Sequence, residues 1–219
     1  LNAGELGKAV GRLTGIGSVI SVLRKSFRLL QKAITDSFKA AVDFEAQLAQ
    51  LQAVTGISND ELKQLEKSVL DVAGSTKFTS EEIVELQTEL GKLGFSVNEI
   101  EEATLAVART AQALGEKVGP VAQRIGQILN QFNLDAVETV RVSDSLVSVI
   151  NSSALSFEGF STALQYIGPL GAEVGTTFEE TSVAMALLAD NGFTASRVGT
   201  GLRGILTELS ATGKDLFTV

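Results

Sequence analysis

Residues 166–203 read YIGPLGAEVGTTFEETSVAMALLADNGFTASRVGTGLR, and this stretch decides the fold because it carries helix start and stop signals in one order. Thr176-Thr177-Phe178-Glu179 offers a hydroxyl followed three residues later by a carboxylate, which is how a helix start satisfies its free amide donors. Apolar residues follow at helical spacing, at Val183, Leu187 and Leu188. Asn191-Gly192 supplies two residues that tolerate positive φ, so the helix is expected to stop there with Phe193 packed back onto its last turn. A second helix is expected to start near Thr194.

Outward from this stretch the same punctuation recurs about every twenty residues, at Gly56, Gly74, Gly94, Gly115, Asn133, Ser153, Gly175 and Gly192. Capping-box pairs open several of the intervening amphipathic segments: Ser58 with Glu61, Thr79 with Glu82, Ser96 with Glu99, Thr176 with Glu179. The spacing predicts helices over 17–55, 59–73, 80–93, 97–114, 119–131, 134–151, 157–173, 177–190 and 195–211. Val118-Gly119-Pro120-Val121 and Ile167-Gly168-Pro169-Leu170 look like one helix-interrupting device used twice, a hint of repeated helical hairpins. No strand is expected, because even the β-branched run Val140 to Ile150 places Val140, Leu146, Val147 and Ile150 at helical spacing. The fold class is therefore all-α: a long N-terminal coiled-coil-like helix followed by an array of short amphipathic helices.

The N-terminal helix carries apolar residues at Ile16, Ile20, Leu23, Phe27, Leu30 and Ile34, and the register continues through Ser37 and Ala41 to Phe44, Leu48 and Leu51. This heptad seam, on a helix of about 60 Å, either packs on the chain's own later helices or joins identical chains. Arg24, Arg28 and Lys32 recur every four residues, so they share one face of the same helix, with Lys25 adjacent. That basic face is either solvated or in contact with an acidic partner: a tube lumen, a neighbouring copy's acidic helices, DNA or an anionic membrane. Gly7, Gly11 and Gly15 weaken the helix start.

Composition narrows the function classes. The 219 residues include no Cys and no His, which excludes disulfides, thiol nucleophiles and the commonest general base and zinc ligands. Only 12 residues are aromatic, so the core must rest on Leu, Ile, Val and Ala. The net charge of −8 is uneven: residues 1–40 hold seven Lys or Arg against Glu5 and Asp36, a balance of +5, and the remainder carries −13. An acidic body of that kind repels phosphate, so direct nucleic-acid binding by residues 41–219 is not expected. The run from Leu13 to Leu23, bounded by Arg12 and Arg24, is about half the length a bilayer requires.

The acidic clusters Glu81, Glu82, Glu85 and Glu89, then Glu99, Glu101 and Glu102, then Glu179 and Glu180, are the candidates for chemistry. Each begins in the first turn of a predicted helix, where negative charge complements the dipole, and helix capping is the reading adopted. No calcium-loop spacing occurs, and Gly199-Thr200-Gly201-Leu202-Arg203-Gly204 lacks the strand and the Gly-Lys-Ser/Thr of a phosphate loop, so its glycines are expected to serve close helix packing. No catalytic, cofactor-binding or metal-binding residue is assigned, no cofactor is expected, and the chain is expected not to be an enzyme.

Four ordered blocks resemble the core of phage tail tape measure proteins: Asp43-Phe44-Glu45-Ala46-Gln47-Leu48 with Gln52-Ala53-Val54-Thr55-Gly56, then Leu70 to Ile83, then Gly94 to Ile100, then Tyr166 to Arg203. The resemblance implies a structural component of the virion tail, made in the host cytoplasm, that helps set tail length, nucleates tube assembly at the tail tip and leaves the tube during DNA ejection. It implies as partners other copies of the chain, expected as a homo-trimer, together with tail-tube and tail-tip or baseplate proteins, and no small-molecule substrate. Membrane contact is expected only in the parent protein during infection, and the missing initial Met suits a piece of a longer protein. Two parts are expected: residues 1–56, the basic heptad helix, and residues 57–219, an acidic multi-helix core. Because broken helices make a poor ruler, the core is expected to anchor near the tail tip or to wait folded, while other parts measure length. The tape measure of a phage-like contractile injection particle, a helical-repeat adaptor for a peptide, and a cell-wall hydrolase are the alternatives.

Overall fold

The computed structural model describes residues 25–28, 31–32, 39–168 and 170–212. The chain divides into two units, Leu1–Ala46 and Gln47–Val219. In the first, residues 25–28, 31–32 and 39–46 are helical, and Lys25, Phe27, Arg28 and Lys32 are exposed. Ile16, Ile20, Leu23, Arg24, Leu30 and Ile34 lie outside the described residues.

The second unit is all helical among the described residues. Its elements are α1 (47–55), α2 (Asn59–Ser75), α3 (Ser80–Lys92), α4 (Val97–Leu114), α5 (Val118–Gln131), a 3₁₀ turn (Ala136–Glu138) running into α6 (Thr139–Asn151), α7 (Phe157–Ile167), α8 (Leu170–Glu173), α9 (Phe178–Asp190) and α10 (Ala195–Thr212). The β-branched run around Val142 is helix, as its spacing predicts. The expected helix 157–173 is instead two, because Gly168 at φ +56, ψ −148 ends α7. The Gly-Pro pair at Gly119-Pro120 does something different: it lies in the first turn of α5, where proline's missing N–H has no partner to lose. The two Gly-Pro sites are thus a helix start and a helix stop, rather than one device repeated.

One corner recurs along this unit. Gly94, Gly115, Asn133, Gly175 and Gly192 all have positive φ, between 52° and 88°. In each case the next residue's N–H donates back to a carbonyl five positions earlier: Phe95 to Leu90, Glu116 to Ala111, Leu134 to Leu129, Thr176 to Gly171 and Phe193 to Leu188. This closes the free carbonyls of the ending helix. The residue after that is the next N-cap, Ser96, Lys117, Asp135 or Thr177, so each corner turns the chain in three residues. Gly74 and Ser153, expected to be punctuation of the same kind, have no positive φ, and Gly74 is inside α2.

Burial follows the amphipathic pattern in most helices. Leu65 and Val69 of α2, Ile83, Leu86 and Leu90 of α3, Ile100 and Val107 of α4, and Ile125 and Ile128 of α5 are fully buried together. Further along, α10 lies along α7, and Val198, Leu202 and Leu206 face inward. Phe178, at the start of α9, is the hub of this region, with edge-to-face contacts to Phe132 at 5.7 Å and Phe160 at 6.2 Å.

Helix α9 departs from expectation. Val183 and Leu187 point outward at 46% and 56% exposure, whereas Thr181, Ser182, Met185 and Ala189 are buried. Phe193 is 48% exposed, and its N–H donates to the Leu188 carbonyl of the last turn. The cap also shifts by one residue: Thr177 with Glu180 forms the capping box. The buried Thr176 hydroxyl instead donates to the Gly171 carbonyl at 2.8 Å.

Of the glycines at 199, 201 and 204, only Gly199 mediates close packing. A Cβ there would lie 2.5 Å from the Ala163 carbonyl oxygen and 3.0 Å from the Ala163 Cα of α7, whereas at Gly201 and Gly204 it would meet nothing within 4 Å. Gly199→Ala is therefore expected to destabilise the fold by about 1–3 kcal/mol through overpacking against backbone that cannot move aside. Gly201→Ala, on open helix surface, is expected to stabilise it by about 0.5–1 kcal/mol. Urea unfolding of the two variants measures both signs. By the same assay Phe178→Ala is expected to cost about 3–5 kcal/mol, the large-to-small range for a buried ring.

Candidate functional site

The surfaces that could act are a charged groove on α3, a pair of grooves beside α6, and the exposed face of the first unit. Three of the acidic residues singled out in the sequence, Glu82, Glu99 and Glu180, are occupied in closing helix starts. Their carboxylates accept from the backbone N–H of Thr79, Ser96 and Thr177 at 2.9, 2.7 and 2.8 Å. The Ser96 hydroxyl, and with it the Ser96 amide, hold the Glu99 carboxyl below its ordinary value. Glu101 accepts from Gln64 Nε2 at 2.5 Å, tying α4 to α2.

Glu179 pairs with Arg141 of α6, which also pairs with Glu138, and accepts from the Ser145 hydroxyl at 3.1 Å. Burial pushes the Glu179 carboxyl up, but its hydrogen bonds to the backbone, Arg141 and Ser145 outweigh that and leave it lowered. Glu179 thereby bridges α6 to the start of α9, a cross-link the sequence reading had assigned instead to capping.

Of the four remaining acids, Glu102 is exposed on α4, and Glu81, Glu85 and Glu89 occupy one face of α3 at four-residue steps and line a groove of about 260 Å³ whose opposite wall is Gln47 and Gln50 of α1. Lys92 closes one end, bonded to Glu89 at 2.6 Å, and Gln123 of α5 donates to the same carboxylate at 2.9 Å. Burial raises the Glu89 carboxyl, and these two donors more than offset it, so it is lowered. Gln47 Oε1 is shielded from solvent with no hydrogen-bond partner. Two further grooves, of about 350 and 380 Å³, flank α6 and share Asp144 and Ser148, with Val183 on one side and Val140 on the other. Among the described residues no three acidic side chains are placed to hold a metal ion, and no helix is long and apolar enough to cross a membrane.

The heptad residues behave differently from one another. Leu48 and Leu51 are buried in the second unit's own core, at 6% and 0% exposure. They are not available to a partner chain, because the unit's own helices already cover them. Phe27 is 64% exposed, Phe44 is half-buried, and Arg28 and Lys32 lie on exposed helix.

Most of the acidic residues singled out in the sequence are thus engaged in capping helices or in cross-linking them. Residues 66–218 match the model of the phage-related minor tail protein family. The chain belongs to that family. A stretch of 84 residues is 37% identical to the probable tape measure protein of Escherichia phage P2, and 95 residues are 28% identical to the tape measure protein of Pneumococcus phage Dp-1. These matches cover 38% and 43% of this chain but 10% and 8% of the relatives, so the chain corresponds to a small part of each tape measure protein. No solved structure matches it comparably.

In this tape measure region the Glu179–Arg141 pair supplies a pH test. A lowered folded-state carboxyl stabilises the fold above its ordinary value of 4.5, and that contribution is lost as pH falls through the folded value. Glu179→Gln is therefore expected to unfold at lower urea than the parent at pH 7, with the gap closing as pH falls below 4.5. A gap independent of pH would show that the carboxylate charge is not what links α6 to α9.

Proposed function

We propose that this chain is a structural segment of a phage tail tape measure protein, that it acts in the virion tail without catalysing a reaction, and that it holds position rather than measuring length. Family membership supports the tail assignment, and the anchoring role rests on one observation: the three-residue corners that fold residues 47–212 back on themselves. A ruler gains length at 1.5 Å per residue only while its helix continues. The corners end α3, α4, α5, α8 and α9 after at most 18 residues, so this segment adds little length for its mass. In this reading the rest of the parent chain measures the tube. The folded segment sits at the tail tip, where tube assembly is nucleated, and is released with the rest of the chain at DNA ejection. Its partners are tail-tube and tail-tip proteins and further copies of itself, three in the simplest assembly, joined along the seam that includes Phe27 and Phe44.

In-frame deletion of residues 47–212 from the parent gene is the test, read by electron microscopy of tails. An anchor predicts tails that fail to assemble or vary in length. A ruler predicts uniform tails shorter by about 1.5 Å per residue removed, and that result would defeat the anchoring role. For the seam, Phe27→Asp in the full chain is expected to lower the sedimentation-derived mass towards that of a monomer, with the helical spectrum unchanged.

A further inference from the structure

Asn191-Gly192, the corner between α9 and α10, is the one step in the sequence where an asparagine precedes a glycine. Asn2, Asn59, Asn98, Asn130, Asn133 and Asn151 are all followed by residues with side chains. The difference is chemical. A glycine nitrogen has no neighbouring Cβ to hinder it, so it can reach the side-chain carbonyl carbon of the asparagine before it and displace the amide. Asparagine is for this reason among the least durable residues in a protein.

The closed corner holds this reaction off. The Gly192 N–H donates to the Ala189 carbonyl at 2.9 Å, and Asn191 Nδ2 donates to the Leu187 carbonyl at 2.7 Å. Nucleophile and leaving group are thus each tied to a different carbonyl of the last turn of α9, with Asn191 at φ −84, ψ 12 and Gly192 at φ +86. Ring closure requires the nitrogen to give up its proton and swing onto the side chain, which breaks both bonds and the corner with them. Residues 190–194 are exposed, so water reaches the corner as soon as it opens.

We infer that Asn191 is a modification site gated by this corner: closed, it is inert, and open, it forms a succinimide. The bond from Gly192 N to Asn191 Cγ forms as the Cγ–Nδ2 bond breaks, and the Gly192 amide proton leaves with the departing ammonia. Water then opens the ring on one of two sides. Cleavage at Cγ leaves an aspartyl residue, and cleavage at the main-chain carbonyl leaves an isoaspartyl link with one more carbon in the main chain. Both products put a carboxylate at the C-terminal end of α9, where the helix dipole opposes negative charge. The isoaspartyl link also displaces the N–H groups of Gly192 and Phe193 from the carbonyls they close. A reversible opening of the corner thereby becomes permanent.

The experiment uses the full chain at mildly alkaline pH, with conversion of Asn191 followed over time by mass spectrometry, both in buffer and in urea that unfolds the chain. Folded protein is expected to react roughly tenfold or more slowly than unfolded protein, because only the open fraction reacts. Phe193→Pro deletes the N–H that closes the corner onto Leu188, and is expected to raise the folded rate severalfold, measured against the same variant's unfolded rate. Asp190→Ala, which only removes the acceptor for the Ala154 N–H at the end of α9, is expected to act in the same direction and serves if the proline variant does not fold. Converted protein, separated by ion exchange, is expected to unfold at lower urea than the parent. Equal rates in folded and unfolded parent, or a relative rate unchanged in the folded variants, overturn the gating. An unfolded chain that leaves Asn191 intact overturns the site itself, and converted protein as stable as the parent overturns the permanent opening.

Discussion

The constraint on which the rest depends is the closing of helix C-termini by a residue in the left-handed conformation. A helix ends with carbonyls that have no partner in their own helix, and turning the chain sharply would leave them buried and unpaired. At Gly94, Gly115, Asn133, Gly175 and Gly192 the positive φ turns the next N–H back onto one of those carbonyls, and the following residue already begins the next helix. Connections this short fix how successive helices meet, and close contact follows from it. Gly126 of α5 lies where a Cβ would collide with the Leu93 side chain, and Gly199 of α10 lies on the backbone of α7. Glycine thus acts in two ways here, through backbone freedom at the corners and through lack of bulk at the crossings.

The corners are also why so much of the fold was legible in the sequence. A glycine, then one residue, then a serine or threonine with a glutamate three further on is a local pattern with a local cause, and it marks the end of α3 and start of α4 at Gly94 to Glu99 and the start of α9 at Gly175 to Glu180. Where two local solutions competed, the sequence did not choose. Both Thr176 and Thr177 have a glutamate three residues on, and the choice fell to Thr177 because the Thr176 hydroxyl is taken by the Gly171 carbonyl and the Thr181 hydroxyl. The inward face of α9 was hidden for a similar reason. Apolar residues lie on nearly every side of that helix, so its own sequence does not say which face is buried. Phe178 settles it by meeting rings from α5's end and from α7, contributed by residues up to 46 positions away.

The candidate surfaces were legible only in part. Glu81, Glu85 and Glu89 stood out as an acidic run, but the wall that turns this run into a groove comes from Gln47 and Gln50, which no spacing links to α3. Periodicity reads the seam as one continuous stripe. It could not show that the stripe changes allegiance: Leu48 and Leu51 turn into the second unit's core, while Phe27 stays exposed. Helical spacing identifies a face, and the identity of what covers that face is tertiary information.

Helix α9 shows what such packing costs. With Ser182 and Thr181 inside and Val183 and Leu187 outside, it removes less apolar surface from water than its composition allows. The hydroxyls of Ser143, Ser161 and Ser182, on α6, α7 and α9, are buried with no partner, each a penalty of about 1–3 kcal/mol. These small groups let the helices approach closely, but they do not hold them together. What holds α9 is concentrated at a few points: the Phe178 cluster, Met185, the Glu179 link to Arg141, and Asp190, which accepts from the Ala154 N–H at 2.7 Å. By contrast α3 is held along its length by the buried row Ile83, Val84, Leu86 and Leu90, and α4 adds Ile100 and Val107 among buried alanines and threonines. Apolar burial is therefore uneven along the second unit, and α9, whose large buried apolar side chains are Phe178 and Met185, depends most on those few points.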